Sequence, residues 1–251
     1  MNWTSPDADF AAEIAVAAGK LLQEVRASRD WDAKELGKAG DAAANDLLCH
    51  AITSARPDDG LLSEERKCDG TRLLKSRTWI IDPVDGTREY GERRDDWAVH
   101  VALCIDGRPE LGAVALPDAG LVLRSDAPPA LAPLNDPPRM VVSRTRPAAE
   151  AVAVAEAIGA ELVPMGSAGA KAMAVVRGIA DIYLHSGGQH EWDSAAPVAV
   201  AFAAGLHCAR LDGTPLVYNC DDTYVHDLLI CRRELVEAVT DALASLPSPR
   251  P

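Results

Sequence analysis

The sequence predicts an α/β protein in two halves: an α+β half over residues 1–127 and an α/β half over residues 139–251. Three observations carry that prediction. Strand-period apolar runs joined by hairpin signals fill residues 96–124. After residue 139, strand and helix patterns alternate, as they do where helices cover the faces of a mixed or parallel sheet. Between the two, Pro128, Pro129, Pro133, Pro137 and Pro138 make a stiff connector with no packing period, and the domain boundary is placed there. A chain of 251 residues is long enough to bury one large core or two modest ones.

In chain order, Phe10, Ile14, Ala17, Ala18, Leu21, Leu22 and Val25 recur at helical spacing and predict an amphipathic helix over 6–29. A second helix is predicted over 41–55, with Ala44, Leu47, Leu48, Ala51 and Ile52 on its apolar face. Asp41 stands at its start, a natural N-cap. Residues 60–63 read as a short strand and 69–75 as a polar connector. Residues 78–81 are β-branched and aromatic, so they read as a buried strand. Pro83 cannot donate to a ladder, which predicts the strand's end near Asp82. Gly86 permits a tight turn, and Thr87 then caps a short helix. The charged run 88–94 reads either as a solvated helix and loop or as a lid. Strands at 96–105, 111–116 and 121–124, broken at Asp106-Gly107 and Asp118-Ala119-Gly120, predict an antiparallel meander. In the second half, strands are predicted at 139–143, 161–164, 179–184 and 227–232. Helices are predicted at 147–158, 168–177 and 194–204, with a last one ending near 245.

The net charge of −13 argues against nonspecific nucleic-acid binding or an anionic membrane surface as the main role. It also means that an anionic substrate must be drawn in by local cations or bound metal. No apolar run reaches membrane-spanning length, and the start lacks a signal-peptide pattern, so no integral membrane association is expected. Cys49, Cys68, Cys104, Cys208, Cys220 and Cys231 are scattered, with no Cys-x-x-Cys pair. Neither a zinc site nor a disulfide framework is indicated, and a reduced, cytoplasmic protein is expected.

The chemistry gathers at Asp82-Pro83-Val84-Asp85-Gly86-Thr87. Two carboxylates sit where a strand gives way to a helix, a place that suits a hard cation with oxygen ligands. Free N–H groups beside them suit a phosphate. Taken alone, these residues are also ordinary turn and cap formers. In their context, however, Ser63-Glu64-Glu65 precedes them and Glu191-Trp192-Asp193-Ser194-Ala195-Ala196 follows. The three motifs in this order resemble the inositol monophosphatase superfamily of Mg²⁺-dependent, lithium-sensitive phosphomonoesterases.

That resemblance implies a layered αβαβα sandwich with the site between the halves, and a homodimer in many members. It implies that Glu64, Asp82 and the Val84 carbonyl hold one Mg²⁺ and that Asp82, Asp85 and Asp193 hold a second, two or three ions in all. It implies that Asp41 and Thr87 orient the attacking water, although Gly40 departs from the usual residue before that aspartate. The Gly86 and Thr87 N–H groups would hold phosphate oxygens. Acids gathered without cations would repel one another, which is a physical reason to expect bound metal. Two such ions, roughly 4 Å apart, can stabilise both the attacking and the leaving oxygen.

Three further segments resemble one branch, the CysQ-like 3′(2′),5′-bisphosphate nucleotidases acting on 3′-phosphoadenosine 5′-phosphate. These are Val142-Ser143-Arg144-Thr145, Gly166-Ser167-Ala168-Gly169-Ala170-Lys171 and Asp212-Gly213-Thr214-Pro215-Leu216-Val217-Tyr218-Asn219, with Arg146 where the branch usually has His. A bisphosphate needs cationic contacts for its second phosphate. Ser167 and Lys171, at a helix start, are expected to supply them together with Ser143, Arg144 and Arg146. The expected reaction is hydrolysis of that nucleotide to AMP and phosphate. The alternatives are an inositol monophosphate or a fructose 1,6-bisphosphate substrate on the same site, or a non-catalytic metal or nucleotide binder.

Overall fold

The computed structural model describes residues 6–67 and 70–246. Cys68, Asp69 and the outer ends of both predicted units lie outside the described residues.

Five layers stack in the order helix, sheet, helix, sheet, helix. The outermost pair is α1 (Pro6–Ala27) and α2 (Ala33–Ala55), packed on each other and on the first sheet. That sheet runs β1 (Gly60–Ser63), β2 (Arg77–Asp85), β3 (Ala98–Ile105), β4 (Arg108–Leu116) and β5 (Leu121–Arg124) in spatial and sequence order. Only the β1–β2 pair is parallel; the rest is the expected meander. The five-residue α3 (Thr87–Gly91) leaves the end of β2. The second sheet has the order β7-β6-β8-β10-β9. Its members are β6 (Arg139–Ser143), β7 (Glu161–Met165), β8 (Ile182–His190), β9 (His207–Ala209) and β10 (Tyr224–Cys231). Strands β7, β6 and β8 are parallel, and β10 and β9 join antiparallel.

Between the sheets lie α5 (Ala168–Val176) and α6 (Glu191–Ala203), while α4 (Ala149–Ile158) and α7 (Val236–Ser245) pair at the far side of the second sheet. The apolar core follows the layers. One cluster joins α1 and α2 to the first sheet, and another joins α4 and α7 to the second. The central cluster takes Ile80 and Val114 from one sheet, Tyr183 and Ile230 from the other, and the small residues of α5 and α6 between them. Gly112 on β4 allows that closeness: a Cβ there would lie 2.5 Å from the Ala196 carbonyl oxygen.

Several boundaries differ from expectation for identifiable reasons. Helix α2 begins at Ala33, not at 41, and Asp32 is its cap, accepting from the Lys34 and Glu35 N–H groups. Asp41 is therefore interior. Gly37 and Gly40 hide the helix in the sequence, since glycine weakens a helical pattern. Both are needed for close approach: a Cβ at Gly37 would meet Thr87 Cγ2 at 2.8 Å, and one at Gly40 would meet Tyr90 Cε1 at 2.5 Å. Strand β2 does not stop at Asp82 but runs to Asp85, and its pairing with β3 slips between those residues around Pro83. The cap of α3 is Gly86, with φ of 89°; Thr87 is the first helical residue. Helix α6 starts at Glu191 with His190 as its cap, so Asp193 lies inside the first turn. Strand β8 starts and ends later than expected, because its second half is polar and carries no apolar alternation. The three-residue β9 is too short to show a period and was not anticipated.

Candidate active site

Strand β2 and helix α6 bring three acids together. Ligand oxygens of Asp82, Asp85 and Asp193 all lie within 4.8 Å of one another. Asp82 and Asp85 are buried on β2. Asp82 turns one oxygen back to the Val84 N–H at 3.0 Å. Asp193 accepts from the His190 N–H at 2.6 Å, which fixes its rotamer at the start of α6. Glu64 stands in the turn after β1, exposed as a residue, with its carboxyl hydrogen-bonded to Asp82.

This crowding sets the electrostatics. Burial, then the neighbouring Glu64, Asp85 and Asp193, hold the Asp82 carboxyl well above its ordinary range. Burial and Asp193 push Glu64 up to about 7. Burial and Asp85 push Asp193 up to about 6, against the His190 N–H and His100. Buried oxygens that repel when ionised are the donor set a hard divalent cation selects. The residues present therefore fit such an ion.

Asp85 goes the other way. Burial alone would raise it, but His100, Ser167 and Lys171 hold it down to about 2. Its carboxylate sits on the N-terminus of α5. Ala168 N–H donates to Oδ1 at 2.9 Å, Gly169 N–H to Oδ2 at 2.5 Å, and the Ser167 hydroxyl also donates to Oδ2. The anion held by Ser167 and its helix is thus an internal one. Lys171 is buried and donates to the Gly166 carbonyl at 3.4 Å and the Ser167 carbonyl at 2.5 Å. This corrects the expectation that Ser167 and Lys171 face a second phosphate: in this structure their donors are taken by Asp85 and by backbone oxygens.

Beside the acids, the Thr87 hydroxyl lies 3.3 Å from Asp41 Oδ1 and donates to the Val84 carbonyl at 3.1 Å. Burial, then Glu65, push Asp41 up to about 7, against the Thr87 hydrogen bond. Asp41, Val84, Gly86 and Thr87 therefore share one corner, built where α2 crosses α3. Of the remaining residues assigned to substrate, Ser143 accepts from the Arg146 N–H at 3.2 Å. Arg144 pairs with Glu89 and Glu92, both at 2.8 Å, and so ties β6 to α3. The Arg146 side chain is exposed.

Sequence reasoning missed His100. It is fully buried on β3, directly across the ladder from Asp82. Its Nε2 lies 3.1 Å from Asp85 Oδ2, off the ideal hydrogen-bond direction, and its Nδ1 lies 2.9 Å from the Trp192 carbonyl oxygen. The available signal was a lone histidine in an otherwise apolar strand. Also missed were Glu89, which is buried beneath Arg144, and Asp96, which accepts from Arg94 and from the Gly166 N–H at 2.6 Å.

The family model for inositol monophosphatases matches residues 3–128 and 135–245. The chain belongs to the inositol monophosphatase family. Among curated members, a 3′-phosphoadenosine 5′-phosphate phosphatase of Mycobacterium bovis is 50% identical over 238 residues, covering 90% of this chain and 89% of that one. The 3′(2′),5′-bisphosphate nucleotidase CysQ of Escherichia coli K12 is 30% identical over 200 residues, covering 75% and 81%. The crystal structure of CysQ from Bacteroides thetaiotaomicron superposes with a TM-score of 0.77 at 23% identity, covering 92% of this chain and 98% of that one. The five-layer architecture expected from the motifs is thus the inositol monophosphatase fold. No helix among the described residues is long and apolar enough to cross a membrane.

Proposed function

We propose that the protein is a Mg²⁺-dependent phosphomonoesterase that hydrolyses 3′-phosphoadenosine 5′-phosphate to AMP and phosphate. The observation that carries the chemistry is the convergence of Asp82, Asp85 and Asp193 within 4.8 Å, next to the Asp41–Thr87 pair. The substrate follows from the relative that is 50% identical along nine-tenths of the chain.

Asp82, Asp85, Asp193, Glu64 and the Val84 carbonyl would hold Mg²⁺, which supplies charge neutralisation at the phosphate and a more acidic water. The chain's own residues do the positioning. Asp41 Oδ1 and Thr87 Oγ1, 3.3 Å apart, give a water two oriented partners. A carboxylate titrating at about 7 suits a proton acceptor at neutral pH. The water's proton passes to Asp41 as its oxygen bonds to phosphorus. The bond from phosphorus to the ribose 3′ oxygen breaks, that oxygen takes a proton from solvent water to become the hydroxyl of AMP, and Asp41 returns its own proton to solvent. Catalysis is then placement and field, with no phosphoenzyme. Gly86 and Thr87 flank the phosphate. The second phosphate falls to Ser143, Arg144 and Arg146, because Arg144 and Arg146 reach solvent while Ser167 and Lys171 are buried; Arg144 would exchange a glutamate partner for the phosphate. Sensitivity to lithium, a cytoplasmic place in sulfur assimilation, more than one ion at turnover and a homodimer belong to the same reading.

The test is Mg²⁺-dependent phosphate release from this bisphosphate, inositol 1-phosphate and fructose 1,6-bisphosphate. A clear kcat/KM preference for the bisphosphate, with AMP as product, is expected. Equal or faster release from either sugar phosphate overturns the substrate assignment. Ligand binding without any Mg²⁺-dependent release overturns the enzyme.

A further inference from the structure

We propose that His100 is a positioning residue that fixes the spacing of the three acids and so sets the protein's affinity for a divalent cation. The inference rests on reading the acid cluster as a cation site. His100 touches the support of every one of those acids. It stands opposite Asp82 in the β2–β3 ladder. Its Nε2 contacts Asp85 Oδ2 at 3.1 Å. Its Nδ1 lies 2.9 Å from the carbonyl of Trp192, the residue just before Asp193 at the start of α6. One ring therefore spans the first sheet and the middle helix layer at the point where their acids meet. Being fully buried, it has no solvent to accept its nitrogens instead.

A second observation is independent of those contacts. Gly169 opens α5 directly over the ring. A Cβ there would lie 2.0 Å from His100 Nε2 and 3.0 Å from Asp85 Oδ2. Only a residue without a side chain fits at that position as the ring and the carboxylate stand. The space it leaves is filled by the imidazole against Asp85. Partners that orient metal-binding carboxylates typically change metal affinity by about 10–100-fold when lost.

The experiment titrates Mg²⁺ into chelator-treated protein by calorimetry, for the parent, His100→Phe, Gly169→Ala and Asp85→Asn, with circular dichroism on each. His100→Phe keeps a flat ring, slightly larger, and removes both nitrogens; Gly169→Ala keeps the imidazole and displaces it. Both are expected to weaken Mg²⁺ binding at least tenfold with the fold intact. At saturating Mg²⁺ the KM for the bisphosphate should stay near the parent's, a split that a loss of packing alone would not produce. If His100→Phe does not fold, the smaller His100→Asn carries the test, with Gly169→Ala beside it, since an alanine there also presses on Asp85. Parent-like Mg²⁺ affinity in a folded variant overturns the role of His100. Absence of Mg²⁺ binding in the parent, or its retention in Asp85→Asn, overturns the cation site itself.

Discussion

Replacing Asp85 by Asn should abolish Mg²⁺-dependent turnover and also lower stability in the absence of metal. The second effect comes from the seat of Asp85 on α5. Its two oxygens receive the Ala168 N–H, the Gly169 N–H and the Ser167 hydroxyl, with His100 alongside. An amide keeps only one acceptor. In its best orientation the oxygen keeps Ser167 and Gly169, and the NH₂ faces the Ala168 N–H, donor against donor. Losing one charge-assisted hydrogen bond costs about 1.5–3 kcal/mol. Losing the anion at the helix N-terminus costs about 0.3–1 kcal/mol more. The sum is roughly 2–4 kcal/mol, or roughly 4–16 °C in Tm for a chain of this length. The substitution also relieves repulsion with Asp82 and Asp193, which would mask the loss. At about pH 5 that relief is smaller, because Asp193, pushed up to about 6, is then largely protonated while Asp85, held near 2, is not, and Asp82 is shifted in the same direction as Asp193. Thermal melts in chelator at that pH are the assay. A variant that melts with the parent refutes the claim that Asp85 anchors α5.

The raised acids predict a pH slope with the opposite sign. Asp41 and Glu64 titrate near 7 and Asp193 near 6, above their ordinary values of 3.8, 4.5 and 3.8. Their contribution to stability is full below the ordinary values and lost as pH rises through about 6–7. Chelator-treated protein should therefore melt lower at about pH 8 than at about pH 5, and saturating Mg²⁺ should remove the difference; a flat metal-free profile would contradict this. Thr87→Val keeps the shape but removes the hydroxyl between Asp41 and Val84, so kcat should fall about 10²–10⁴-fold with KM little changed. Steady-state kinetics decide it, and an unchanged kcat excludes Thr87 from placing the water. Gly112→Ala forces a methyl to 2.5 Å from the Ala196 carbonyl and should destabilise by about 1–3 kcal/mol, read as a lower denaturant midpoint.

The sequence announced the acids well and their surroundings poorly. Asp82 and Asp85 are three positions apart in one strand, and a strand-to-turn pattern is local information. Asp193 was legible only through its motif, since nothing in residues 82–193 states which distant helix meets β2. Asp41 reads as a helix start because the apolar period begins after it; Gly37 and Gly40, which are clearances for Thr87 and Tyr90, conceal the two helical turns before it. Ser167 and Lys171 were assigned to a phosphate because a hydroxyl, N–H groups and an ammonium at a helix start call for an anion. The rule was sound, but the sequence does not say that the anion is a carboxylate from the other half. His100 carried no spacing at all; its meaning lies in three contacts made across layers.

The middle layer acts as a shim. Helix α6 meets both sheets with Ala195, Ala196, Ala199 and Ala201 buried along it, and β4 gives way to it with a glycine. Because Asp193 rides on that helix while Asp82 and Asp85 ride on β2, the thickness of the shim is also the gauge of the gap between the acids. Bulkier side chains there would widen the gap without touching any acid, so alanines far from the chemistry are constrained by it.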